Sequence, residues 1–151
     1  MKISIAADHG GFELKKHLVE VISISDYEVL DKGAHTFDAN DDYPDFAKLV
    51  AKSIQKGETT KGVIICGSGV GASITASKFK GVRAAICHDI YSAAQGVEHD
   101  DMNVLCLGAR VIEVSLAVKI VQKFLKAQFD TDTRFIRRLN KVIEIEKSQS
   151  G

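Results

Sequence analysis

The stretch Gly62-Val63-Ile64-Ile65-Cys66-Gly67-Ser68-Gly69-Val70-Gly71-Ala72 contains an uninterrupted apolar run, a glycine loop and the start of a helix. An unbroken apolar run of this length reads as a strand buried on both faces, the kind found in parallel sheets rather than in half-exposed hairpins. After the loop, Ala72 to Phe79 reads as a helix that Gly81 ends. The unit is therefore strand, turn, helix.

The same grammar recurs on both sides. Upstream, Ile3 to Ala7 is an apolar strand broken by Asp8-His9-Gly10-Gly11, with Phe12, Leu14, Leu18, Val19 and Ile22 following at helical spacing. Glu28-Val29-Leu30 is a second strand, and Pro44 near a helix start precedes Phe46, Leu49, Val50 and Ile54. Downstream, strands are expected at Val82 to Cys87 and Asn103 to Leu107, with helices from Ile90 to Val97 and Val114 to Phe124. A last amphipathic helix, Thr133 to Glu146, buries Phe135, Ile136, Leu139, Val142 and Ile143, and Lys147 to Gly151 reads as a frayed tail. Apolar strands alternating with helices predict an α/β three-layer, Rossmann-like doubly wound sheet of five parallel strands plus a C-terminal helix. The simplest strand order is 2-1-3-4-5. Strands one and three are then neighbours, and the switch point between their carboxyl ends brings Asp8-His9 and Cys66-Gly67-Ser68 to one crevice.

The 151 residues, with no linker, repeat or low-complexity stretch, predict a single domain spanning 1–151. Twenty basic and twenty acidic side chains cancel, so no overall field recruits nucleic acid or a membrane, and any anion must be held locally. The partner is expected to be a small molecule. The short apolar start is too brief for a signal peptide, and three cysteines without pairing or zinc-like spacing fit a reducing compartment, so the expected location is cytoplasmic. Cys87 and Cys106 read as core filler, His17 and His35 as surface residues. His88-Asp89 lacks the further ligands of a metal site, so no metal is expected.

Gly67, Gly69 and Gly71 let backbone amides approach an oxygen-rich ligand at the start of the following helix. The spacing is neither the dinucleotide fingerprint nor a Walker motif, because residue 72 is alanine and no lysine-hydroxyl pair follows. Cys66 opens this loop, where a helix N-terminus and nearby cations are expected to favour its thiolate. Taken alone, a cysteine ending a buried strand is more often a small hydrophobe. The glycine loop tips the balance toward chemistry.

Asp8-His9-Gly10-Gly11-Phe12 with the following Leu-Lys-Lys, Asp42-Tyr43-Pro44, the Cys66 to Gly71 loop, and His99 with Asn103-Val104-Leu105 together resemble the family of ribose-5-phosphate isomerases B and galactose-6-phosphate isomerases. The resemblance spans nearly the whole chain. It implies an aldose–ketose isomerase that interconverts ribose 5-phosphate and ribulose 5-phosphate through a cis-enediolate, without organic cofactor or metal. It implies Cys66 as the base, His99 as the group that assists ring opening, and Asp8 nearby. Other members carry a glutamate base at the position of Ala72, so this chain fits the cysteine branch. Ser68 and the amides of Gly67, Gly69, Val70 and Gly71 suit an oxyanion, while His9, Arg110, Arg134 and Arg138 are expected at the phosphate end or the sugar. Arg134 and Arg138 lie four apart on one helical face. Tyr43 is expected to line the pocket. Asp100 stands where the family has asparagine, exchanging two donors for a charge.

His99 follows the fourth helix and precedes strand five, which puts it at the amino edge of the sheet, opposite Cys66. A two-fold homodimer, or a tetramer built from one, would present His99 and Asp100 of one subunit to Cys66 of the other. A hexose-6-phosphate isomerase and a non-catalytic sugar-phosphate sensor on the same fold are the alternative readings.

Overall fold

The computed structural model describes residues 1–149, with Ser150 and Gly151 outside the described range. Five parallel strands, β1 (Lys2–Ala7), β2 (Glu28–Asp31), β3 (Lys61–Cys66), β4 (Ala84–Ile86) and β5 (Val104–Gly108), form one sheet. Helices α1 (Phe12–Ile24), α2 (Tyr43–Gln55), α3 (Val70–Ala76), α4 (Ile90–Asp100), α5 (Val114–Lys126) and α6 (Thr133–Gln149) alternate with and follow them. A short 3-10 turn, His9–Gly11, links β1 to α1.

Alternation along the strands sorts the core into two layers. Ile3, Ile5, Ala7, Val63, Ile65, Leu105 and Leu107 face the layer of α1, α4 and α5, packing on Leu18, Val97, Ile120 and Phe124. Ala6, Ile64, Cys66, Val104 and Cys106 face the layer of α2 and α3, packing on Val50, Ala51, Ala72 and Ala76. The expected three-layer architecture holds. Helix α6 buries only Phe135 of its expected stripe, leaving Ile136 at 39% and Val142 at 53% exposure. It also runs to Gln149, through most of the segment read as a frayed tail.

One detail of the topology differs from the expected order. The strands run β2-β1-β3-β5-β4, so the last two are exchanged. The reason lies in their composition. Every residue of β5 is buried, as a central strand requires, whereas β4 is three half-buried residues preceded by Arg83. Short strands with small residues and a flanking charge belong at an edge. The Arg83 guanidinium turns outward to Asp101, with Nη2 at 2.8 Å from Oδ2. The exchange has a consequence at the opposite end of the sheet, because it places the loop after β5 directly beside the loop after β3.

Two buried lysines were absent from the pattern-based core. Lys61, at the amino end of β3, donates to the carbonyls of Phe124 (2.6 Å) and Ala127 (2.8 Å), satisfying the last turn of α5. Lys15, 2% exposed, donates to both Asp31 oxygens (2.7 and 2.9 Å) and to Ala34 O (2.7 Å). That second lysine pins the start of the segment between β2 and α2 against the carboxyl edge of the sheet.

Candidate active site

The carboxyl ends of β1, β3 and β5 enclose an open crevice of about 400 Å³, lined among others by Asp8, His9, Tyr43, Cys66, Ser68 and Arg110. A larger concavity of about 510 Å³ lies between α1 and α5, but its lining, with Leu18, Ile22, Asp26, Val118 and Lys126 among it, offers no thiol or imidazole. The smaller one offers both.

Cys66 ends β3 and is 4% exposed. Its Sγ accepts the Gly69 N–H at 3.1 Å, a contact that becomes possible because Gly69 turns the chain with φ of +83°. Ser68 Oγ accepts the Val70 N–H at 3.2 Å, so this hydroxyl helps to shape the loop. Among the described residues, the N–H groups of Gly67 and Ser68 donate to no protein acceptor. The loop thus offers unengaged donors beside a thiol that already receives one. Val70 does not line the crevice and is half-exposed. Tyr43, in the first turn of α2, lies across the loop so closely that a β-carbon on Gly71 would sit 2.5 Å from its ring.

Arg110 reaches the crevice because β5 neighbours β3. Its N–H donates to Gly67 O at 3.0 Å, and the N–H of Ala109 donates to Cys66 O at 2.9 Å. The guanidinium lies against Gly67, where a β-carbon would meet Nη1 at 3.0 Å. On the other wall, Asp8 Oδ1 accepts the N–H groups of Gly10 (2.9 Å) and Gly11 (3.3 Å). Burial pushes the Asp8 carboxyl up, against the opposing pull of His9 and those two amides. His9 is held by Asp41, whose Oδ1 takes both the backbone N–H at 2.9 Å and the ring Nδ1 at 2.7 Å. The Asp41 hydrogen bond raises the imidazole above its usual range; desolvation works against it, the Asp8 charge adds to it and Arg110 opposes it.

Sequence reading missed Val111, which lines the crevice, and Asp41, which holds His9. Asp41 was legible in one respect, since it lies on the loop leaving β2, and all such loops gather at the carboxyl edge. Asp8, His9 and Asp41 are the one grouping among the described residues whose donor atoms gather within 4.8 Å, as a cation would need. Their shortest contact is their own hydrogen bond, and we assign no ligand role to them.

The remaining expected residues lie elsewhere. His99, in the last turn of α4, stacks on Phe135 with ring centroids 4.1 Å apart and planes 12° apart, and its Nδ1 is 3.0 Å from Gln95 Nε2. The Arg134 guanidinium lies 4.6 Å and that of Arg138 6.0 Å from the Phe135 ring centre. Asp100 is exposed and borders a separate hollow with Arg83, Met102 and Leu139. None of these four lines the crevice. Within one chain the expected set divides into a thiol half at the carboxyl edge and an imidazole–arginine half at the amino edge. Cys87 and Cys106 are buried, as expected for core filler, and His17 and His35 are exposed. His88 has a structural role, its Nε2 accepting the Gly108 N–H at 2.9 Å. No helix among the described residues is long and apolar enough to cross a membrane.

Comparison with known proteins adds to this geometry. The model of a family described as ribose/galactose isomerase matches residues 3–142. The probable ribose-5-phosphate isomerase B of Mycoplasma genitalium is 47% identical over 146 residues, covering 96% of this chain and 95% of that protein. The solved ribose-5-phosphate isomerase B of Clostridium thermocellum superimposes with a TM-score of 0.95 at 45% identity, covering 99% of this chain and 100% of that one. The Mycoplasma genitalium structure with bound ribulose-5-phosphate gives 0.92 at 46% identity, with 97% and 96% covered.

Proposed function

The chain belongs to the ribose/galactose isomerase family, and from that premise we propose that it interconverts D-ribose 5-phosphate and D-ribulose 5-phosphate with Cys66 as the base. The observation that carries this reading is the Gly69 N–H donated to Cys66 Sγ at 3.1 Å in a crevice that also holds Arg110 and His9. A thiolate accepting a backbone donor is a base held in place. It takes the proton from C2 of the open-chain aldose, and the electron pair of that C–H bond becomes the enediolate double bond while charge moves to the C1 oxygen. The N–H groups of Gly67 and Ser68 are the donors available to that oxygen. The proton of the C2 hydroxyl passes to the C1 oxygen, the enediolate electron pair takes the thiol's proton at C1, and C2 becomes the carbonyl of the ketose.

The reading also assigns a role to the divided residues. In the proposed homodimer, His99, Asp100, Arg134 and Arg138 of one subunit complete the crevice of the other. Phe135 supports this by holding His99, Arg134 and Arg138 around one ring, away from their own crevice. The exposed Val70 and Ile74 of α3, Tyr91 of α4, and Ile136 and Val142 of α6 offer apolar surface for such an interface. His99 then assists ring opening, and the arginines meet the phosphate. The chain acts as a single domain in the cytoplasm, a setting that suits its three unpaired, buried cysteines.

The test is turnover of ribose 5-phosphate, allose 6-phosphate and galactose 6-phosphate by the purified chain and its Cys66→Ala variant. Ribose 5-phosphate should be turned over fastest, with activity abolished in the variant. Full activity of Cys66→Ala would overturn the mechanism, and preference for a hexose phosphate would overturn the substrate.

A further inference from the structure

The relation between His9 and Asp41 is more specific than a salt link. One oxygen, Oδ1, receives two contacts from the same residue, the backbone N–H at 2.9 Å and ring Nδ1 at 2.7 Å. A carboxylate only accepts, so Nδ1 carries the proton and the tautomer is fixed. Nε2 is left as the ring nitrogen available to the crevice that His9 lines. The Asp41 side chain is 11% exposed, and its other oxygen, Oδ2, is buried with no hydrogen-bond partner among the described residues. A carboxylate so placed is compensated chiefly by its contact with His9, which favours a charged imidazole over a neutral one.

We propose that Asp41 is a positioning residue. It fixes the ring of His9 with Nδ1–H turned inward and so presents Nε2 to the anionic end of the substrate, as a donor whenever the ring is protonated. This rests on the sugar-phosphate reading for the ligand, though not for the state of the ring. The groups facing His9 divide, with the Asp41 hydrogen bond outweighing the desolvation that opposes it. Asp8 on the adjoining strand end and Asp41 on the loop before α2 favour the cation, and Arg110 on the loop after β5 opposes it. Across the crevice are the Cys66 thiol and the Tyr43 hydroxyl. The arrangement resembles the carboxylate–histidine pairs that orient an imidazole through the nitrogen not used for chemistry.

Imidazole NMR of the ligand-free protein, with His9→Gln for assignment, tests the ring directly. Neutral His9 should be the Nδ1–H tautomer, Asp41→Asn should move its titration to lower pH, and Asp41→Glu should restore it. An Nε2–H tautomer, or an unmoved midpoint in Asp41→Asn, would overturn the proposal. In kinetics, Asp41→Asn should raise KM for ribose 5-phosphate roughly tenfold at pH 8 with a smaller change in kcat, and the gap should close near pH 6. A loss equal at both pH values would mean a merely structural role. An inactive wild-type enzyme would overturn the ribose reading and leave the NMR result standing. Should Asp41→Asn fail to fold, the wild-type tautomer and the Asp41→Glu midpoint decide by the same criteria.

Discussion

The N–H of Arg110 donates to the carbonyl of Gly67 at 3.0 Å, tying the loop after β5 to the glycine loop after β3. Neighbouring strands lie about 4.8 Å apart, so in the order 2-1-3-4-5 this arginine would have stood one strand further from Cys66. The exchange of the last two strands is what makes Arg110 a crevice residue.

Arg110 therefore brings a cationic fork to the thiol half of the candidate site. Arg110→Lys keeps the charge and loses the planar pair of donors. Steady-state kinetics should show KM for the sugar phosphate rising about tenfold or more, with Arg110→Ala worse and both variants as stable as wild type within about 1 kcal/mol. Unchanged KM in Arg110→Ala would remove this residue from the substrate.

The contact between Gly71 and Tyr43 is testable as a pair. A β-carbon at residue 71 would sit 2.5 Å from the Tyr43 ring, but that residue is 39% exposed and can swing aside. Gly71→Ala should thus weaken substrate binding severalfold with little effect on thermal stability. In a double-mutant cycle, Tyr43→Ala should absorb most of that loss, because the clash it relieves is the one the alanine creates. Additive effects would locate the damage in the loop backbone instead.

How much of this was readable beforehand depended on what each residue's neighbours are. Ile3 to Ala7 and Gly62 to Cys66 carry their strand character and their adjacency in local pattern, and with it the meeting of Asp8-His9 with Cys66. The place of β4 was not local. Its exposure is set by which strand occupies the centre, and only the comparison of Ala84-Ala85 with the fully apolar Val104 to Leu107 hinted at it. Asp41 was hidden for a similar reason. An aspartate in an Asp-rich loop reads as solvated until the fold brings His9 to it. Lys15 and Lys61 were passed over because buried lysines are rare, and what makes them tolerable is a set of partners 16 to 66 residues away in sequence.

Lys61 gives a prediction with a definite sign. Burial holds its amine down to about 8, against the opposing pull of Asp101, while in the unfolded chain it titrates at its ordinary value of 10.5. Between those two values the unfolded chain binds more protons than the folded one, so stability rises with pH there. Relative to Lys61→Met, wild type should gain up to about 3 kcal/mol between pH 8 and pH 10.5 in chemical denaturation. Below pH 8 the difference should be flat. A difference independent of pH would show that Lys61 stays charged in the fold.

The Lys15–Asp31 pair anchors the segment that ends at Asp41. Lys15 is 2% exposed and Asp31 33%, so removing the aspartate strands a buried ammonium that retains one carbonyl, Ala34 O. Asp31→Ala should cost about 2–4 kcal/mol of stability, while Lys15→Met with Asp31→Leu together should cost less, because no buried charge is left unpaired. Denaturant midpoints separate the two cases. A double variant as unstable as Asp31→Ala would mean that loop geometry, not the stranded charge, is what the pair protects.

The division of the site makes the sharpest prediction about assembly. His99 stacks on Phe135 at 4.1 Å and does not line the crevice of its own chain. If each crevice is completed by a partner, a Cys66→Ala chain and a His99→Asn chain are each inactive alone but complementary. In a heterodimer, the His99→Asn chain supplies the thiol and the Cys66→Ala chain the imidazole, so one of its two sites is whole. Tagged and purified heterodimers should recover about half of wild-type activity, and unfractionated equal mixtures about a quarter, since about half of randomly paired dimers are mixed. No recovery in heterodimers that refold and exchange subunits would overturn the sharing of sites between subunits. Activity in the isolated monomer would show that the thiol half is sufficient by itself.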